Sequence, residues 1–187
     1  MQSRNPGVLE KMIADGLRPD NAENCGNFEM RIARDGTWYH QGAPIRRMAL
    51  VKLFATVLRR DDSGDFWLVT PVERGRIDVD DAPFTAVEMQ IEGKGRNQVL
   101  NFRTNLDHMV RAGEDHPVRV AIDSDTGEPT PYILVRDNLE ALITRPVFYD
   151  LVALAEERDG DDGPEMVVWS NGVAFVLGSA EDDTVEG

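Results

Sequence analysis

Phe28, Met30 and Ile32 alternate with Glu29, Arg31 and Ala33, the period of a strand with one buried face. Asp35-Gly36 follows as a tight turn, because glycine accepts the positive φ that hairpins require. Trp38-Tyr39-His40 can return as the partner strand, and Pro44 has the fixed φ suited to a helix start. Leu50, Leu53, Phe54, Val57 and Leu58 then fall at i, i+3, i+4, i+7 and i+8, one apolar face of a helix. The pattern predicts a hairpin, a tight connection and a core helix. Upstream, Val8, Leu9, Met12 and Ile13 share a face in a short helix predicted over Pro6 to Leu17, and a polar loop runs from Asp20 to Asn27.

Beyond the helix, Asp61 to Asp65 is a turn, and Phe66 to Thr70 reads as a strand stopped by Pro71. Ile77-Asp78-Val79, Phe84 to Glu92 and Gln98 to Thr104 read as further strands, with Gly93-Lys94-Gly95 as a hairpin turn. Asn105 to Glu114 is polar and is expected to hold one helical turn. Pro117 to Ile122 and Tyr132 to Arg136 are strands, separated by turn chemistry from Asp123 to Pro131. Asp137 or Asn138 is placed to cap a helix beginning at Leu139 to Ile143. Pro146 restarts or kinks it, and Phe148, Leu151, Val152 and Ala155 carry its apolar face onward. After the acidic loop Asp159 to Gly163, Asn171-Gly172 joins the last two strands, Met166 to Trp169 and Val173 to Leu177, as a hairpin. The acidic tail from 179 to 187 is expected to be disordered.

The halves share a pattern. Shifting Leu50-Val51-Lys52-Leu53-Phe54 forward by 97 places it on Val147-Phe148-Tyr149-Asp150-Leu151. In each copy a strand pair precedes the helix, and a turn rich in Asp and Gly leads on to another strand. The reading is an α+β chain of two related halves, each an antiparallel sheet packed on a core helix. The divisions expected are 1–27 (helix and loop), 28–104 (first half), 105–178 (second half) and the tail. In a duplicated chain the groove between the copies is the natural place for a ligand.

Composition narrows the function. Apolar residues are 41% and charged residues 29%, which fits a globular chain that can bury a core. Of the net charge of −14, most lies between Glu156 and Gly187, where ten acids face one base, Arg158. Phosphate backbones select clustered Lys and Arg, so nucleic-acid binding is disfavoured. No apolar run is long enough to span a bilayer, and the first residues lack the apolar core of a signal peptide. One cysteine suits a reducing compartment, and the expected location is the cytoplasm.

Candidate chemistry is sparse. Cys25 stands beside Gly26, and a nucleophilic thiol needs a base or cation nearby to lower its pKa. His40, Arg31 and Arg34 are candidates for that place, with Asp35 orienting the histidine. A small, chemically inert thiol is the more ordinary use of such a cysteine. His40, His108 and His116 lack ligand spacing, so no metal is expected. Gly93-Lys94-Gly95-Arg96-Asn97-Gln98 fails the dinucleotide fingerprint at its third glycine and lies between strands, and no cofactor is implied. Thr70-Pro71-Val72-Glu73-Arg74 places a hydroxyl, a carboxylate and a guanidinium at a strand end, where ligand-binding loops are often built.

Several segments together resemble a bacterial family known only as a domain of unknown function, number 1285 in its series. They include Cys25-Gly26, Asp35-Gly36-Thr37-Trp38, Leu68-Val69-Thr70-Pro71-Val72-Glu73, Asp81-Ala82-Pro83-Phe84, His116-Pro117 and Val147-Phe148-Tyr149-Asp150-Leu151. The resemblance runs from Cys25 to Gly178. It implies an α+β fold of two related halves, the second weakly like a pleckstrin-homology fold, and a binding or signalling role.

The reading that follows is a non-enzymatic cytosolic protein that binds a small ligand or protein partner between its halves, in signal transduction. Its expected contacts are Arg31, Trp38, Thr70, Glu73, Asn105 and His116. The first alternative is an enzyme with Cys25 as nucleophile and His40 as base. The second is an interaction module that meets a basic protein through Asp161, Asp162 and the tail.

Overall fold

A computed structural model describes Gly7 and residues 23–180, with side chains from Gly26 onward. The N-terminal helix expected from the sequence lies, Gly7 apart, outside the described residues, as does the expected acidic tail beyond residue 180, while Ser179 belongs to the last strand. The chain folds as two compact units, the first ending at Pro83 and the second beginning at Phe84.

In the first unit, β1 (Glu23–Ile32), β2 (Trp38–His40) and β3 (Ala43–Pro44) form an antiparallel meander. Helix α1 (Met48–Thr56) follows, then a second meander of β4 (Leu58–Arg60), β5 (Phe66–Val69) and β6 (Glu73–Val79). A parallel pairing of β1 with β6 joins the two into one six-stranded sheet, ordered β3-β2-β1-β6-β5-β4. Two irregularities in that pairing, between Asn24 and Asn27 and between Asn27 and Arg31, take up extra residues of β1; Gly26 at φ 75° lies in the first, and Phe28 and Glu29 at φ 54° lie in the second. Phe28, Met30 and Ile32 then all face inward, and Leu50, Val51, Phe54 and Ala55 are the buried positions of α1. Pro44 is not a helix start. It pairs with Tyr39 in β3, and the helix begins four residues later.

The second unit opens with a third meander, β7 (Phe84–Glu92), β8 (Val99–Thr104) and β9 (Met109–Arg111). A 3₁₀ turn at Gly95–Asn97 lies between β7 and β8. Next come β10 (Val118–Ile122), β11 (Pro129–Arg136) and β12 (Leu139–Ile143), then α2 (Arg145–Ala153). The chain closes with β13 (Glu156–Gly160), β14 (Gly163–Ser170) and β15 (Val173–Ser179). Strand β12 pairs in parallel with β7, giving the sheet β10-β11-β12-β7-β8-β9, while β13-β14-β15 is a separate sheet of three.

The chain is thus two related α+β halves, each with one helix. The two helices have the same length and stand 97 residues apart, and each has a three-stranded meander before it and another after it. The antiparallel expectation holds for every pairing except one parallel seam in each large sheet.

Three local expectations give way to tertiary structure. Leu139 to Ile143 is a strand, because Asp137 at φ 48° turns the chain and Leu139, Ala141 and Ile143 bury alternate side chains between β11 and β7. Asn105 to Glu114 holds β9 instead of a helical turn, since Met109 to Arg111 completes a ladder on β8. Val152 is exposed, and α2 buries Val147 and Leu151. The division between units falls at 83/84, not after Thr104, because β7 and β8 pair with each other and with β12 and β9 of the second unit.

Candidate binding cleft in the second unit

The short sheet β13-β14-β15 is fastened along one side. Buried Ser170 Oγ donates to Ala112 O at 2.7 Å and accepts from Leu100 N at 2.9 Å. Gln98, 4% exposed, donates through Nε2 to Trp169 O at 2.9 Å, and Asn171 N donates to Gln98 O at 3.0 Å. Outside them, Glu156 Oε1 accepts from the Trp169 indole at 2.9 Å and from Arg96 Nε at 3.0 Å, with the Arg96 guanidinium 5.2 Å from the centre of the Trp169 ring. The indole hydrogen bond first, and Arg96 after it, hold the Glu156 carboxyl below its ordinary range. Asn171 (φ 52°) and Gly172 (φ 79°) make the tight turn that carries Ser170 into this contact.

The opposite side is open. There β15 comes alongside β10, and the two strands with the β13–β14 turn line a cleft of about 980 Å³. Strand β10 ends its sheet and β15 ends the other, so two strand edges border the same space. Val118, Val120 and Ile122 contribute from β10, and Ala174, Val176 and Gly178 from β15. Ile122 is 57% exposed and Val176 42%.

The cleft's cations are already paired. Arg119 meets Glu140 through two hydrogen bonds of 2.6 and 2.7 Å and stands 4.3 Å from the centre of the Tyr132 ring. Arg158 pairs with Glu165 through both Nε and Nη2. At the tip of the β13–β14 turn, Asp159, Asp161 and Asp162 line the rim, and no ion pair to them is found among the described residues. The cleft therefore combines apolar strand edges with a net negative lip.

The residues singled out from the sequence sit elsewhere. Arg31 is exposed on the first sheet, binding Asp80 at 2.5 and 2.8 Å and lying over Tyr39. Trp38, on the neighbouring strand, is buried against Phe54 with ring centres 6.2 Å apart. The Trp38 and His40 side chains share a face of β2, and Trp38 Nε1 and His40 Nε2 are buried with no hydrogen-bond partner among the described residues. Thr70 and Glu73 do come together: Thr70 N and Oγ1 both donate to Glu73 O at 2.8 Å, and Thr70 Oγ1 accepts from Glu73 N at 3.1 Å. They clamp the β5–β6 turn and are both buried.

Asn105 and His116 belong to the second unit. Asn105 Oδ1 accepts from Thr85 N at 3.1 Å, and His116 Nδ1–H donates to Leu134 O at 3.0 Å. Cys25 stands in β1, and its side chain lies outside the described set. In the backbone register His40 is opposite Met30, five residues further along β1 from Cys25. No group of three or more His, Cys, Asp or Glu among the described residues is placed to hold a metal ion. None of the helices described is long and apolar enough to cross a membrane.

Two family models match consecutive parts of the chain. Residues 19–82 match the N-terminal domain of unknown function DUF1285, and residues 83–177 match the C-terminal domain of the DUF1285 proteins of unknown function. The chain belongs to the DUF1285 family. The border between the two DUF1285 models coincides, to within a residue, with the division between the two units. A crystal structure of a DUF1285 family protein from Silicibacter pomeroyi DSS-3 superposes with a TM-score of 0.85 at 44% identity, covering 96% of this chain and 98% of that one. Another, from Shewanella baltica OS155, gives a TM-score of 0.52 at 25% identity, covering 67% of this chain and 91% of that one. No curated protein matches the chain.

The sequence reading passed over the cleft. Its one available signal was the run Val173 to Ser179, seven residues with neither charge nor proline, in which Val176 falls out of phase with buried Phe175 and Leu177.

Proposed function

We propose that this DUF1285 protein is a binding protein with a signalling role, and that it engages its partner in the cleft bordered by β10 and β15. The observation that supports this reading is the concave opening of about 980 Å³ between two strand edges, with exposed Ile122 and Val176 on its walls. The ionisable groups of the cleft walls, Arg119 with Glu140 and Arg158 with Glu165, are matched in charge and suited to holding a surface in shape.

The test is a titration of the ¹⁵N-labelled full chain with a library of small heterocycles and short peptides, followed through its amide spectrum. Ligands are expected to shift resonances in Val118–Ile122, Arg158–Glu165 and Ala174–Ser179 together. Hits that shift only other regions, or a library without hits, would overturn the reading.

A further inference from the structure

Sheet edges are normally protected, because an unpaired row of N–H and C=O groups invites another strand. Four of the six strand edges here follow that rule. Strand β3 contains Pro44, β4 contains Arg59 and Arg60, β9 contains Arg111, and β13 contains Glu156, Glu157, Arg158 and Asp159. The exceptions are β15, which has neither charge nor proline, and β10, whose one charge, Arg119, is held by Glu140. These two edges border the same cleft.

The repeat sharpens the contrast. Counting outward from the helix in each half, β10 occupies the place of β1, and β15 the place of β6. In the first half those positions are joined by a parallel ladder, whereas β10 and β15 lie side by side in different sheets.

The backbone of β10 is turned toward the opening. Leu134 N donates to Pro117 O, so the antiparallel alternation makes Arg119–Tyr132 and Ala121–Thr130 the hydrogen-bonded pairs. Val118, Val120 and Ile122 then direct their N–H and C=O groups away from β11; Val118 is itself buried, and the edge opens toward Ile122. Pro131, opposite Val120, has no N–H to donate across that position.

We propose that the cleft takes an extended basic segment of a protein partner, which adds as a strand to β10 beneath β15. Backbone hydrogen bonds to Val120 and Ile122 supply the pairing, and Ile122 and Val176 receive the segment's apolar side chains. The sign of the partner follows from charge. Arg119 and Arg158 are neutralised by Glu140 and Glu165, which leaves Asp159, Asp161 and Asp162 to set the field at the rim. A second copy of this chain, at net charge −14, is a poor match to that rim.

This inference rests on the cleft reading above, and the experiment separates the two. The probe is the acetylated, amidated heptapeptide Lys-Val-Arg-Val-Lys-Val-Lys, added to the labelled full chain. Saturable binding is expected, with slowed exchange of the Ile122 amide and of Val120 beside it, and weaker affinity as salt rises. Its acidic counterpart, with Glu in place of Lys and Arg, should not bind.

V120P removes one outward donor without touching the β10–β11 bonds, and it should abolish slowed exchange. The triple variant D159N/D161N/D162N leaves the edges intact and should bind about tenfold more weakly. Shifts confined to the acidic turn, with unchanged exchange along β10, would overturn strand addition. So would a dimer of the chain that V120P dissociates, since the edge would then serve a second copy. If the heptapeptide fails while other library ligands still shift the cleft, strand addition falls and the cleft reading stands.

Discussion

The ring of Phe28 occupies the space that a side chain on Gly75 would need. A Cβ built on Gly75 would stand 2.4 Å from Phe28 Cδ1, closer than real contacts allow. Gly75 has an ordinary φ, so the constraint is packing alone: the paired irregularities of β1 aim Phe28 across β6. G75A should destabilise the first unit by about 1–3 kcal/mol, the usual cost of overpacking a core. F28L/G75A should recover part of that loss, because the shorter side chain frees the space. Urea denaturation of the wild type and both variants measures it.

Ser170 ties the three-stranded sheet to the rest of the second unit with one hydroxyl that both donates and accepts. S170A strands Leu100 N and Ala112 O in a buried place, at a cost of about 1–3 kcal/mol. Hydrogen exchange should quicken at Leu100 and through β14 and β15. Unchanged protection at Leu100 would show that another group fastens the sheet.

Acid should loosen the same region. The Glu156 carboxyl is held below its ordinary range, chiefly by the Trp169 indole and then by Arg96. A depressed folded pKa contributes stability that is present above the unfolded value and is lost as pH falls through the folded one. Wild-type urea midpoints should therefore fall as pH drops below about 4.3, the unperturbed Glu value. E156Q keeps an acceptor for Trp169 without the titrating charge, so its midpoints should fall less steeply. Parallel curves would assign the acid sensitivity to other depressed carboxyls, such as Asp61 and Asp123.

The reactivity of Cys25 should not depend on His40. Nucleophilic activation requires a neighbouring base or cation, and the β1–β2 register sets His40 opposite Met30. Iodoacetamide labelling of the folded chain should keep the same pH midpoint in H40N. A midpoint that H40N raises would restore the enzyme alternative.

Local chemistry was enough to read the turns and most strands. Asp35-Gly36, Gly93-Lys94-Gly95 and Asn171-Gly172 carry their own φ preferences, and Phe28-Met30-Ile32 announces a buried face by period alone; Phe84 to Glu92 is a strand whose first three residues are buried together. The offset of 97 residues between helices was likewise written in the chain, since a helix face repeats wherever it is needed to cover a sheet. What periodicity could not decide was pairing. Leu139 to Ile143 suits a helix or a strand until β11 and β7 stand on either side of it. The irregularities in β1 that seat Phe28 on Gly75 depend on a strand more than forty residues away. The cleft is the extreme case. Whether β10 and β15 join, as β1 and β6 do, depends on which edges meet, and hydrogen bonds between distant strands leave no periodic trace in either strand's own sequence.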